Sequence, residues 1–272
     1  MKTRDTEPAN AHTARTLPLL LALTTAAFGV VALLGWVLGL PLLASFGTGR
    51  MPMAPSTAVP FLLFGAAICW RTRTPLSGRA FRISTVAGWL LALVALIFFV
   101  LSSLNIQPEL EHFGVNISGT AGGAVTGHMS PVTTFCFLLA SVSFLASLSR
   151  SATRPKRTAL ALGAAGVLLG AAFIFLLAYF FGTPLLYGGP FIPPALNTLL
   201  AFVMLGLALM VLASRAGGLR GRSPATGGRT ALHFALIFIL LAVGIVTAGY
   251  SYYRGHEQAY RAEAEGNLSA IA

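Results

Sequence analysis

Seven apolar stretches follow one another along this chain, and most are about as long as a helix that crosses a lipid bilayer. A helix rises 1.5 Å per residue, so about 20 apolar residues cover the roughly 30 Å hydrocarbon layer. Hydrophobic residues make up 56% of the 272 positions and charged residues only 9%. The stretches are Leu17 to Leu40, Ser56 to Trp70, Ile83 to Leu104, Pro131 to Ser149, Ala159 to Phe181, Ala195 to Ala213 and Ala231 to Tyr253. The sequence therefore predicts an all-α membrane protein with seven transmembrane helices.

The basic residues predict how these helices are oriented. The formal net charge is +11, which in a soluble protein would suggest a nucleic-acid partner. Fifteen of the 18 Lys and Arg residues precede the first stretch or lie in alternate loops, and the other three are Arg50, Arg254 and Arg261. Lys and Arg accumulate in cytoplasmic loops, so we expect a cytoplasmic N-terminus and an extracytoplasmic C-terminus. No basic stripe interleaved with aromatic residues occurs. The expected partners are membrane lipids and not nucleic acid.

A nine-residue motif occurs three times, where the second, fourth and sixth stretches begin. Its copies are Met53 to Phe61, Met129 to Phe137 and Pro194 to Phe202, and all three have Thr at the fifth position and Phe at the ninth. A motif at the same place in successive units indicates an internal repeat.

The repeat predicts three helical hairpins in parallel orientation, arranged as a pseudo-threefold six-helix bundle over residues 17–214. The hairpins cover about 17–70, 83–149 and 159–213. A cytoplasmic tail, 1–16, precedes the bundle, and a seventh helix with an extracytoplasmic helical extension, 231–272, follows it.

The polar residues of the motif have two interpretations. Ser or Thr before Pro is typical of a helix start, as at Ser130, and the three threonines are then helix caps. Alternatively, the polar residues of the three copies converge near the external surface and line a shared ligand-binding cavity. Exposed helix N-termini would there favour an anionic or carbonyl-bearing ligand. The candidate ligand-binding residues are Thr57, Thr133, Asn197 and Thr198.

Ionisable side chains, on which transport and catalysis within a membrane depend, are nearly missing from the apolar stretches. Only His233 lies inside one, and the two lysines, Lys2 and Lys156, lie in cytoplasmic segments. No nucleophile elbow, P-loop, metalloprotease or kinase motif is present. We expect a protein that is not an enzyme and that has no cofactor and no metal site.

The longest external connection, 105–127, contains the one group of side chains that could ligate a divalent metal. Glu109, Glu111 and His112 lie in it and His128 follows it, but their spacing matches no closed zinc motif. A solvated loop is the better interpretation, and the glycine-rich run 119–127 predicts flexibility.

Glycine pairs in the first and fifth stretches have the spacing that allows helices to pack closely in lipid. Gly35 and Gly39 form one pair, and Gly166 and Gly170 form the other. We expect both pairs to pack alike.

The chain after the seventh stretch predicts a further helix with a partner. Glu257 and Arg261 are opposite charges four residues apart, and apolar residues recur at helical spacing. The partner of residues 250–272 would be a second copy of the chain, giving a homodimer, or another protein domain.

The helix starts of the MAPSTA type, together with the ending YSYYRGHEQAYRAEAEGNLSAIA, resemble the N-terminal membrane region of large bacterial sensor proteins. In that family a multi-span module precedes an extracytoplasmic sensor domain and cytoplasmic PAS, histidine kinase or diguanylate cyclase domains. The resemblance implies a module of the bacterial inner membrane, truncated before its sensor domain. No phosphotransfer residue is carried over.

These observations favour a non-catalytic sensory or input module that detects a small or lipophilic ligand, or the bilayer itself, and signals through the seventh helix. A transporter or channel for a neutral solute without ion coupling is the first alternative. A structural membrane anchor for a partner complex is the second.

Overall fold

The computed structural model describes residues 8–47, 50–74, 77–104, 106, 111, 120–121, 124–148, 155–180, 192 and 194–216. The helices are α1 (Pro8–Val37), α2 (Pro41–Ser45), α3 (Pro55–Arg73), α4 (Gly78–Ser103), α5 (Pro131–Ser147), α6 (Pro155–Phe180) and α7 (Leu196–Ala216), and a single antiparallel pair joins β1 (Thr120–Ala121) to β2 (Ala124–Val125). The predicted seventh span and its extension, 231–272, lie outside the described residues, as does most of the predicted tail, since α1 begins at Pro8.

The long helices coincide with the first six predicted stretches to within a few residues, apart from longer N-terminal extensions of α1, α4 and α6. Four of them, α1, α4, α6 and α7, contain segments long and apolar enough to cross a membrane, and α5 is a shorter apolar helix. Helix α3 has 19 residues, but polar residues and prolines at its start and two arginines at its end lower its mean hydropathy. The described part of the chain is thus an all-α protein with several helices of membrane-spanning character.

Large apolar side chains on the outside of the bundle agree with a lipid environment. On α4 these include Trp89, Leu90 and Leu93, each more than half exposed. An apolar surface of this extent is unusual on a monomeric protein in water, whereas in a bilayer it contacts lipid chains.

The six long helices pack as three antiparallel hairpins: α1 with α3, α4 with α5, and α6 with α7. Helices α3, α5 and α7 lie at the centre and begin at the same end of the bundle. Two of the three outer helices also pack on the inner helix of a neighbouring hairpin: α1 on α7, and α6 on α5. The exception is α4, which contacts α3 only sparsely.

The three phenylalanines of the nine-residue motif meet at the centre of the core. Phe61, Phe137 and Phe202 are at most 1% exposed, and each is the seventh residue of its helix. Their ring centroids form a nearly equilateral triangle with sides of 4.9, 4.8 and 4.8 Å. Tilted ring contacts at this distance stabilise aromatic clusters beyond their buried area.

The predicted glycine pairs do not pack alike, and that prediction was wrong. Gly35 lies against the chain around α2, with the position of a Cβ only 2.9 Å from the Ala44 nitrogen. Gly39 has a φ of +65° and open space around it. It ends α1 in the left-handed conformation that favours glycine. Gly166 also has no neighbour within 4 Å of a Cβ position.

Two other glycines bring α1 and α3 together. A Cβ on Gly29 would lie 2.6 Å from the Ala58 carbonyl oxygen, and one on Gly65 would lie 2.7 Å from the Ala22 carbonyl oxygen. Both contacts are with backbone atoms, which cannot move aside as a side chain can. Hydrogen atoms at these two positions are what allow this antiparallel pair to approach so closely.

Candidate functional site: the helix junctions and a lateral cleft

The motif threonines occupy equivalent places at one end of the bundle, which we call the junction end because α3, α5 and α7 all begin there. Thr57, Thr133 and Thr198 are each the third residue of their helix and only 2% exposed. They lie one turn before the phenylalanine triangle, on the same helix faces. The prediction that they cap helices was wrong for α3 and α5, whose N-caps are Ala54 and Ser130.

Outer and inner helices of each hairpin are tied together at the junction end by one side-chain hydrogen bond. In every case the second-last residue of the outer helix donates to the carbonyl oxygen of the first motif residue. The three bonds are Trp36 Nε1 to Met53 O at 2.7 Å, Ser102 Oγ to Met129 O at 2.9 Å, and Tyr179 Oη to Pro194 O at 2.8 Å. The donors differ chemically, so sequence comparison between the segments does not reveal them.

A second kind of tie joins neighbouring hairpins through an acceptor oxygen that receives two hydrogen bonds. In the connection between α1 and α3 this acceptor is the Ala44 carbonyl oxygen. The Met53 amide donates to it at 2.8 Å, and Asn197 Nδ2, the second residue of α7, donates to it at 2.6 Å. Asn197 thus fastens the third hairpin to the first.

Glu111 provides the corresponding acceptor in the connection between α4 and α5. The Met129 amide donates to Glu111 Oε2 at 2.7 Å, and the hydroxyl of Ser56, the second residue of α3, lies 3.5 Å from the same oxygen. A carboxylate oxygen therefore takes the place that a main-chain carbonyl holds at Ala44. The first hairpin is fastened to the second by a group that can change its charge.

The surroundings of Glu111 are unlike those of a loop carboxylate. Its side chain is 2% exposed, and His128 Nδ1 lies 3.5 Å from Oε2. Burial raises the pKa of Glu111 from its ordinary value of 4.5 to about 7, against the opposing effect of the bonds from Met129 and Ser56. The prediction of a solvated loop was wrong for Glu111 and His128, and part of the glycine-rich run forms the β1–β2 pair.

A cleft of about 510 Å³ opens between α3 and α4, where the packing of neighbouring hairpins is weakest. Residues of α3 on its wall include Ser56, Pro60 and Leu63, and residues of α4 include Ser84, Ala87 and Leu91. Leu63 and Leu90 border the cleft and are about half exposed, so it opens to the outer surface of the bundle. Its size is within the range of small-molecule sites.

Ser56 belongs both to the cleft and to the tie with Glu111. Pro60, one turn further along α3 and also on the wall, has no amide hydrogen to donate to the Ser56 carbonyl oxygen, as an α-helix would require. The motif has Cys136 and Ala201 at the corresponding positions. The Ser56 carbonyl oxygen therefore lacks the helical donor that residue 60 would supply, and it belongs to a residue at one end of an otherwise apolar wall.

The four candidate ligand residues from the sequence are all buried at the junction end, at 1 to 2% exposure. The side chain of Asn197 is engaged within the protein, since its amide donates to Ala44 and its oxygen accepts from the Thr198 amide at 3.0 Å. Glu109 and His112 lie outside the described residues, within which no group of three or more metal-ligating side chains occurs. The cleft and the role of Glu111 were not anticipated.

The fold and this site define an all-α protein of membrane type whose hairpins are joined by buried polar ties beside an apolar cleft. Neither protein-family models, nor curated proteins, nor solved structures provide a match to the chain.

Proposed function

We propose that this chain is a non-catalytic sensory module of a bacterial inner membrane that binds a lipophilic molecule in the cleft between α3 and α4. The observation that carries the proposal is the cleft itself. It has an apolar wall, it opens where lipid surrounds the bundle, and its end at Ser56 adjoins the hydrogen-bonded tie between two hairpins. Its occupant would have direct access from the bilayer.

We further infer that the bundle consists of three equivalent hairpins around a pseudo-threefold axis. Three features support this: the phenylalanine triangle, the third-residue threonines, and the outer-to-inner hydrogen bonds made in each hairpin by the second-last residue of α1, α4 and α6. In the first two hairpins the amide of the first motif residue, Met53 or Met129, has an acceptor in the preceding connection. In the third hairpin this residue is Pro194, which has no amide hydrogen and needs no such acceptor.

Occupation of the cleft would change the contact between the first and second hairpins. A ligand shifts a conformational equilibrium only by as much as its affinity differs between the two states. Because Ser56 contacts both the cleft and Glu111, an occupant that separates α3 from α4 acts on the same tie. We propose that this movement is passed to the seventh span predicted at 231–253.

The proposal is tested by filling the cleft. Ala87→Trp places a large side chain in its wall, whereas the matched change Gly163→Trp adds the same side chain to an exposed position of α6 with nothing within 4 Å. Native mass spectrometry of the full chain should detect a bound lipophile in the wild type and in Gly163→Trp, and at least about tenfold less in Ala87→Trp. Equal retention in all three proteins would refute binding in the cleft.

Transport of a neutral solute is separated from sensing by flux. Proteoliposomes containing the full chain should show no uptake of labelled sugars or amino acids above empty vesicles. Uptake that Ala87→Trp abolishes would favour the transporter instead.

A further inference from the structure

We infer that the cleft binds a single-chain lipophile whose head group donates a hydrogen bond, an alcohol or an amine, to the main-chain carbonyl oxygen of Ser56. This inference rests on the proposed function and specifies the ligand of that site. Three features of the cleft support it: its length, the main-chain acceptor at Ser56, and the carboxyl group of Glu111 beside Ser56.

The length of the cleft fits an extended chain. Ser56 and Trp70 both lie on its wall, and 14 residues of helix separate them by about 21 Å. This is most of the roughly 30 Å thickness of the hydrocarbon layer. Between these ends the α3 wall is formed by side chains such as Val59, Leu63 and Ala67. An alkyl or isoprenoid chain matches this long apolar surface.

The acceptor at the Ser56 end requires a donor. A main-chain carbonyl buried in an apolar environment without a hydrogen bond costs free energy, and Pro60 cannot supply the bond that the helix would normally make. In an apolar environment, neighbouring groups must satisfy a carbonyl freed by proline. A hydroxyl or amine on the occupant does this, whereas an ether or a hydrocarbon end cannot.

The carboxyl group beside Ser56 disfavours anionic heads. Ser56 Oγ lies 3.5 Å from Glu111 Oε2, and this carboxyl group is 2% exposed. A phosphate, sulfonate or carboxylate placed at Ser56 would bring negatively charged acceptor oxygens close to this buried carboxyl group. An alcohol is compatible with either charge state of Glu111, and an ammonium group is favoured when Glu111 is ionised.

The experiment compares photoreactive lipophiles that share one alkyl chain and differ in the head group. The probes are a primary alcohol, a primary amine, a methyl ether and a sulfonate, each crosslinked to the full-length protein in phosphatidylcholine nanodiscs. Peptides from α3 and α4 should carry the label, and the alcohol and amine should label them about five- to tenfold more than the ether, as one additional hydrogen bond predicts. The sulfonate should label them least.

A substitution in α3 tests the role of the carbonyl. Pro60→Ala restores an amide donor to Ser56 and should reduce the alcohol-to-ether ratio to about one, while the total labelling persists. Pro18→Ala is the matched control, because it also removes a proline from inside a helix, α1, away from the cleft. It should leave the ratio unchanged. If Pro60→Ala does not fold, the ratios measured on the wild-type protein still decide the question.

The possible failures are distinguishable. Equal labelling of the cleft by all four heads would mean that bulk lipid chains fill it, and would overturn this inference alone. The remaining outcome is that no probe labels the cleft. If Leu63→Cys and Leu241→Cys then form a disulfide in a chain otherwise free of cysteine, the predicted seventh span lies in the cleft. That result would overturn the proposed function as well.

Discussion

The stability of this protein should depend on pH through one buried carboxyl group, Glu111. Burial raises its pKa from 4.5 to about 7, so the folded protein holds this proton over a range in which the unfolded chain has released it. Where the folded state binds more protons, stability falls as the pH rises. The contribution of Glu111 is therefore fully present below about pH 4.5, is lost between pH 4.5 and about 7, and is constant above that.

The magnitude follows from the rise of the pKa. One pKa unit corresponds to about 1.36 kcal/mol, so the loss across this window is about 3 kcal/mol. For a protein of this size, 1 kcal/mol shifts the melting temperature by about 2–4 °C, which gives a decrease of about 6–12 °C. His128 Nδ1 lies 3.5 Å from Glu111 Oε2, so His128 is kept in both proteins that are compared.

Glu111→Gln isolates the effect. Glutamine keeps the size of the side chain and an oxygen that accepts from the Met129 amide, but it does not ionise. Thermal unfolding followed by tryptophan fluorescence in nanodiscs, at intervals from pH 4 to 8, should show the decrease in the wild type and a shallower dependence in the variant. Parallel curves for the two proteins would refute the assignment of a raised pKa to Glu111.

Three further substitutions test the packing and the ties. Gly65→Ala should destabilise the protein by about 1–3 kcal/mol, since the new methyl group meets the Ala22 carbonyl oxygen at 2.7 Å. The control Gly163→Ala has open space around it and should be neutral or slightly stabilising. Both are measured as melting temperatures. Trp36→Phe keeps a smaller aromatic ring and removes the donor to Met53. It should cost about 1–3 kcal/mol in chemical unfolding because a buried carbonyl loses its partner. Phe202→Ala should cost about 3–5 kcal/mol by leaving a cavity in the phenylalanine triangle, and a loss below 1 kcal/mol would contradict a central role for this cluster.

The helices could be predicted from the sequence because their signals are local. Runs of apolar residues and the Ser130–Pro131 start locate α5 without any knowledge of its neighbours, and the structure agrees to within two residues. Phe61, Phe137 and Phe202 were likewise marked by their shared place in a repeated motif, although the motif alone did not predict that the rings meet.

The site depended on information that is not local. Glu111 looked like a solvated residue because it follows a polar segment, and only the fold brings it to the start of α3, 55 residues earlier in the chain. The ties from Trp36, Ser102 and Tyr179 share a geometry and no residue type. The cleft is a deficit of packing between α3 and α4, for which a sequence contains no direct signal.

The sparse contact between α3 and α4 also determines how the bundle can deform. Among the described long helices, six interfaces join an outer helix to an inner one, and five of these six are extensively packed. A bundle in which all six interfaces were packed would resist a change in diameter, because widening it would break at least one packed interface. Among the described helices the α3–α4 interface is the sparse one, so we expect a change in the diameter of the bundle to occur there while the other interfaces stay intact. Higher lateral pressure in a surrounding bilayer would close this interface, and so would the departure of an occupant from the cleft.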